Sequence, residues 1–170
     1  MKKALLVLFL CPLLSSAQSH HTYFQVSADM NNFSSSDPVF GGSMEIGGKG
    51  SVMGFGAGLS LMQFKDATSP YIPIYADICL YTNERKARPI LQLKGGYGVY
   101  NNNAAYGVKQ SGGIYFNPSA GLLVPIKKRD LIFALGYLYS EITSKLNNGY
   151  VQASTTGHMS GWSLNLGVKL

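Results

Sequence analysis

The sequence predicts an all-β chain folded as an eight-stranded antiparallel up-and-down transmembrane β-barrel. Three observations predict it. Eight segments alternate apolar with small or polar residues at period two, the strand period. Charged residues make up only 13% of the 170, about half of the roughly 25% usual in soluble domains. The connections between the eight segments alternate strictly between short and long. No internal stretch reaches the run of about 18 apolar residues that a membrane helix needs, so a membrane crossing here has to be made by strands.

The first element is a leader. Met1-Lys2-Lys3 is basic, Ala4 to Leu14 is almost wholly apolar, and Ser15-Ser16-Ala17 is small. This is the layout of a secretory signal peptide. Residues 1–17 are therefore the expected leader, cleaved near Ala17, and 18–170 the expected barrel domain. Cys11 follows the large Leu10, where lipid attachment calls for a small residue, and the apolar run continues past it. With Cys11 removed, Cys79 is alone and no internal disulfide is expected. The net charge of +6 falls to +4 without Lys2 and Lys3, too mild for a nucleic-acid partner.

The strands follow in order. At 23–30, Phe24, Val26, Ala28 and Met30 oppose Gln25, Ser27 and Asp29. At 39–47, Phe40, Met44 and Ile46 oppose Ser43 and Glu45. At 52–63, Met53, Phe55, Ala57, Leu59 and Leu61 oppose Gly54, Gly56, Gly58 and Ser60. At 71–82, Ile72, Ile74, Ala76, Ile78 and Leu80 oppose Tyr75, Asp77, Cys79 and Tyr81. At 89–100, Leu91, Leu93, Tyr97 and Val99 oppose Gln92, Lys94, Gly96 and Gly98. At 114–126, Phe116, Ala120, Leu122, Val124 and Ile126 oppose Tyr115, Asn117, Ser119 and Gly121. At 131–139, Leu131, Phe133, Leu135, Tyr137 and Tyr139 share a face, but Ile132 and Leu138 blur the other. The last is the cleanest: Trp162, Leu164, Leu166, Val168 and Leu170 against Ser163, Asn165, Gly167 and Lys169. Most of these match the span of about 9–11 residues for a tilted membrane strand.

Connections near 48–51, 83–88 and 127–130 are short. Those near 31–38, 64–70, 101–111 and 144–157 are longer and rich in Asn, Ser and Gly. Outer-membrane barrels combine short periplasmic turns with longer outer loops, which puts both chain ends on the periplasmic side. Alternation alone also fits a soluble, lipocalin-like lipid-binding barrel with its apolar face inside. The placement of charge separates the two. A water-facing strand face carries Lys and Glu freely, whereas here the second face is mostly Gly, Ser, Asn, Gln and Tyr. Most basic residues sit in the short turns: Lys49, Arg85, Lys86, Arg88, Lys127, Lys128 and Arg129. A lipid-facing apolar outside, a small polar inside and charged rims follow. Tyr97, Phe116, Tyr137, Tyr139 and Trp162 fall on the lipid-facing parity near the outer strand ends, where amphipathic rings favour the interface.

On these residues the chain resembles the small eight-stranded outer-membrane β-barrel family, typified by the OmpA transmembrane domain and OmpX. The phrases Gly95-Gly96-Tyr97-Gly98-Val99-Tyr100 and Tyr115-Phe116-Asn117-Pro118 are similar to porin-like barrels of the Bacteroidota. The family usually ends in an aromatic residue read by the assembly machinery, and Leu170 departs from that. No domain is expected after the barrel, so a peptidoglycan-binding role like that of longer relatives is not expected. The resemblance implies the outer membrane of a Gram-negative bacterium. Its implied partners are outer-membrane lipids and the barrel assembly machinery, and its implied state is a monomer with a structural or surface-interaction role.

An eight-stranded barrel is just wide enough for its side chains to fill. Tyr75, Tyr81, Tyr100 and Tyr115 are the expected filling, with Lys94 paired to Asp77 or Glu45, so a small-solute pore is the lesser alternative. His20, His21 and His158 fall at opposite ends and do not form a metal site; no cofactor and no catalytic residue is expected. One enzyme reading competes. His158-Met159-Ser160 and Glu141 share the lipid-facing parity at the outer ends of neighbouring strands, where Ser, His and a carboxylate can activate a hydroxyl. The set resembles the H-x-S and Glu of outer-membrane lipid A deacylases, except that here the Glu precedes the motif. The loops with Asn101-Asn102-Asn103 and Asn147-Asn148-Gly149-Tyr150 are the candidate surface-interaction segments.

Overall fold

A computed structural model describes residues 21–33, 37–65, 69–82, 86–104, 108–127, 129–147 and 152–170. The expected leader, 1–17, lies outside the described residues. The strands are β1 (His21–Phe33), β2 (Val39–Lys49), β3 (Met53–Met62), β4 (Ile72–Tyr81), β5 (Arg88–Val99), β6 (Asn101–Ala104), β7 (Val108–Ile126), β8 (Arg129–Asn147) and β9 (Gln152–Lys169). Each pairs antiparallel with its neighbours. The β1–β9 and β5–β7 pairings close the sheet on itself. β5 and β6 are two segments of one stave, both paired to β7 and separated by the buried Tyr100. The barrel therefore has eight staves. Closure leaves no unpaired strand edge through the apolar zone, the condition lipid imposes on a sheet.

Side chains follow the predicted parity in all eight staves. The exposed face is Phe40, Leu91, Trp162, Ile46, Ile74 and their apolar neighbours, while Gln25, Asn31, Glu45, Asp77 and Lys94 are buried. The apolar face is on the outside. The lipocalin-like arrangement, with that face turned inward, is not the one the chain adopts.

One sequence expectation needs correction. β7 and β8 run for 19 residues each and β9 for 18, roughly 60 Å of strand at 3.3 Å per residue. Most of 101–111 and 144–157, read as loop, is therefore paired strand, with Asn147 facing Gln152 across the last described pair. Neither face of these Asn-, Ser- and Thr-rich extensions is apolar, so they carry no period-two signal.

Ile132 and Leu138, on the face opposite Leu131 and Tyr137 as their parity requires, point inward and are almost fully buried. Each belongs to an apolar plug. Leu138 packs with Phe33, Met62, Tyr71, Tyr75 and Tyr115 toward the long-loop end. Ile132 packs with Cys79, Tyr81, Ile90 and Leu123 toward the short-turn end. A polar layer separates the plugs.

Candidate functional site

The lumen is built from large residues set against missing ones. A Cβ on Gly56 would lie 2.6 Å from the Tyr23 hydroxyl, and one on Gly98 only 1.7 Å from the Tyr71 hydroxyl. These glycines are the sockets for inward-pointing tyrosines of nearby strands. Tyr75, Tyr81, Tyr100 and Tyr115 are buried inside as expected, and Tyr23 and Tyr71 join them. Tyr23 was legible, since it shares parity with Gln25 and Ser27. Tyr71 was legible too, since it opens the 71–82 segment on the parity of Tyr75 and Tyr81.

Charge is concentrated in the polar layer. Tyr23 donates to Glu45 Oε1 at 2.5 Å. Lys94 Nζ is 3.9 Å from Glu45 Oε2 and 5.0 Å from the Tyr75 ring centroid. Of the two partners expected for Lys94, Glu45 makes the ion pair. Asp77 stands opposite Lys94 in the β4–β5 register, and neither of its carboxylate oxygens has a hydrogen-bond partner among the described residues. Asp29 accepts from Asn165 Nδ2 at 2.5 Å and from Ser60 Oγ at 3.2 Å. An interior space here of about 20 Å³ has Asp29, Lys94 and Asn165 in its lining. That is about the room one water needs, far short of a channel.

At the outer rim, register brings the predicted rings together. Phe116 faces Tyr139 and Tyr137 faces Trp162 across adjacent strands. The Tyr137 and Trp162 rings meet edge to face at 6.3 Å. Tyr97 caps the girdle by donating to the Gly112 carbonyl at 2.9 Å.

The three residues of the enzyme reading also come together. Glu141 is directly opposite His158, and Ser160 is opposite Tyr139. Tyr139 sits among them: its hydroxyl donates to Glu141 Oε1 at 3.2 Å, and its ring stacks on His158 at 6.0 Å. His21 starts β1 at the opposite end of the barrel from this patch, and His20 lies outside the described residues. Asn101-Asn102-Asn103 lie in β6, and Asn147 ends β8; residues 148–150 lie outside the described residues.

No family model and no curated protein sequence matches the chain. Solved structures do. The crystal structure of Neisserial surface protein A is similar over 90% of this chain and 99% of that one, with a TM-score of 0.67 and 18% identity. The N-terminal β-barrel domain of Pseudomonas aeruginosa OprF aligns over 89% of this chain and 100% of its own, with a TM-score of 0.48 and 12% identity. The outer membrane enzyme PagL aligns over 84% and 97%, with a TM-score of 0.49 and 13% identity. At such identities the likeness to the Neisserial protein concerns the fold: a closed, eight-stranded, all-antiparallel barrel.

Proposed function

We propose that the chain is an integral outer-membrane β-barrel of a Gram-negative bacterium, with a structural or surface-interaction role rather than a catalytic one. We infer a resemblance to the OmpA transmembrane domain and OmpX and to porin-like barrels of the Bacteroidota. One observation carries the reading: apolar side chains cover the outside of a closed sheet whose inside holds the charges. In water that surface would be a very large exposed apolar patch; in lipid it needs no further cover. Outer-membrane lipids and the assembly machinery are the partners this reading implies, and a monomer suffices because closure is internal. The strand extensions of β7, β8 and β9 are the part that projects beyond the apolar belt and can meet a surface partner. Export by a cleaved signal peptide completes the reading.

Heat-modifiable gel mobility of the protein from purified outer membranes tests this. A band in that fraction that shifts on boiling is expected. A water-soluble protein without a shift would overturn it.

A second reading, hydrolysis of a lipid ester at the outer rim, has one observation in its favour: the β8–β9 register sets Glu141 against His158 with Ser160 on the same face. Against it, the Glu141 carboxylate is engaged by Tyr139 and the His158 ring is stacked. Comparing lipid A acylation in cells carrying the wild type and Ser160→Ala decides. Unchanged acylation removes the hydrolase.

A further inference from the structure

The mouth of the barrel at the short-turn end is a vestibule of about 610 Å³, within the range of about 300–1,000 Å³ typical of small-molecule sites. Lys49, Arg88, Lys127 and Lys169 line it, against one carboxylate side chain, Asp130. Lys49 and Asp130 form an ion pair and offset each other, so the excess positive charge of the vestibule comes from Arg88, Lys127 and Lys169. Lys169 is fixed in place. Its ammonium lies 3.6 Å from the Tyr23 ring centroid and donates to the Tyr81 hydroxyl at 3.2 Å.

Two further observations point the same way. The β7–β8 turn has two residues, because Ile126 pairs with Arg129. Its first residue, Lys127, has a φ of 55°. Such turns favour Asn or Gly, yet a lysine stands there and its side chain is exposed at the vestibule. Backbone strain of this kind clusters at ligand clamps.

The net positive charge of the described residues is also gathered at this end. Lys49, Lys86, Arg88, Lys127 and Arg129 lie in the short connections or at the strand ends beside them, against Asp130, a net of 5 − 1 = +4. All the described residues together total 10 − 6 = +4. The vestibule also adjoins the apolar belt, because the outward-facing Thr22 and Leu170 form part of its wall.

We propose that this vestibule is a binding site for a phosphate-bearing anion: the headgroup of an anionic phospholipid in the periplasmic leaflet, or a free phosphate. Arg88 brings a planar fork of donors and the lysines bring point charges from different strands, a donor set suited to a tetrahedral oxyanion. The headgroup source rests on the membrane reading above; the free-phosphate source does not.

The test uses the full barrel. Native mass spectrometry from a neutral detergent measures retained phosphatidylglycerol against phosphatidylcholine. Calorimetry measures inorganic phosphate. The wild type is expected to retain phosphatidylglycerol at least fivefold over phosphatidylcholine. Lys127→Asn combined with Arg88→Gln is expected to abolish that preference, whereas Lys145→Asn at the other end keeps it. Asn suits the turn, and each variant is first shown to keep its heat-modifiable shift.

Retention of phosphatidylglycerol without phosphate binding assigns the headgroup. Binding of inorganic phosphate that the double variant loses assigns the free anion. No preference for phosphatidylglycerol together with no phosphate binding overturns the proposal, as does a double variant that binds like the wild type. A wild type with no heat-modifiable shift counts against the membrane reading instead, and phosphate calorimetry then still judges the site.

Discussion

Removing the Lys94 ammonium leaves Glu45, Asp77 and Asp29 as three carboxylates in one buried layer. Breaking a buried pair from one side costs about 3–5 kcal/mol, because the remaining charge is uncompensated. Lys94→Met is therefore expected to lower unfolding stability in lipid vesicles by about that amount. Adding Glu45→Gln should restore much of it, as measured by urea titration. Equal destabilisation by the single and double variants would show that Glu45 is not the partner that matters. Gly98 makes a steric case of the same kind. Its missing Cβ is where the Tyr71 ring end lies, and Tyr71 is fully buried in the upper plug. Gly98→Ala is expected to cost on the order of 1–3 kcal/mol as an overpacked site. Tyr71→Ala in the same chain should absorb the added methyl, so the two effects should be far from additive.

Strands β8 and β9 pass through two environments, and identical substitutions along them should read out the boundary. Leu135 is exposed on the outer face in the middle of the belt. Leu135→Arg is expected to destabilise by about 2–4 kcal/mol, the midplane cost of a lipid-facing arginine. Thr156 has outward parity too, but in the extension, where its hydroxyl lies 3.3 Å from that of Thr143. Thr156→Arg should stay within about 0.5 kcal/mol. Equal costs at the two positions would place the extension in lipid and contradict the reading of a projecting hairpin. The β7–β8 turn allows a gain instead. A left-handed conformation costs a non-glycine residue roughly 1–2 kcal/mol, so Lys127→Gly should raise stability by up to about 1 kcal/mol once glycine's added chain entropy is deducted.

For the barrel as a whole, two apolar plugs in series predict how it conducts. The upper plug holds Tyr71 and Tyr100, and the lower holds Tyr81, Ile90, Leu123 and Ile132. Opening one leaves the other closed. Wild type and Tyr71→Ala/Tyr100→Ala should both give no channel steps in planar bilayers. Regular steps from the double variant would mean that the lower plug does not seal.

How much of this was legible in the chain depended on whether a residue's fate was local. Period two, the scarcity of charge and the turn lengths determine strands, parity, closure and an outward apolar face. Each of these follows from a contrast between two faces, and Trp162 to Leu170 displays it without reference to any other strand. Where both faces are alike the signal vanishes, so β6 and the upper parts of β7, β8 and β9 read as loops. Ile132 and Leu138 looked like noise, because the existence of apolar plugs depends on what crosses the barrel from the far side. Lys94 had two admissible partners by parity, and only the position of β2 relative to β5 decided for Glu45. Glu141 and His158 were each placed at an outer strand end, but their direct opposition is a property of the β8–β9 register. The basic turns were visible one by one. That four of their cations and strand-end lysines line one vestibule was decided by closure, which brings the ends of β1, β2, β5, β7, β8 and β9 around a single mouth.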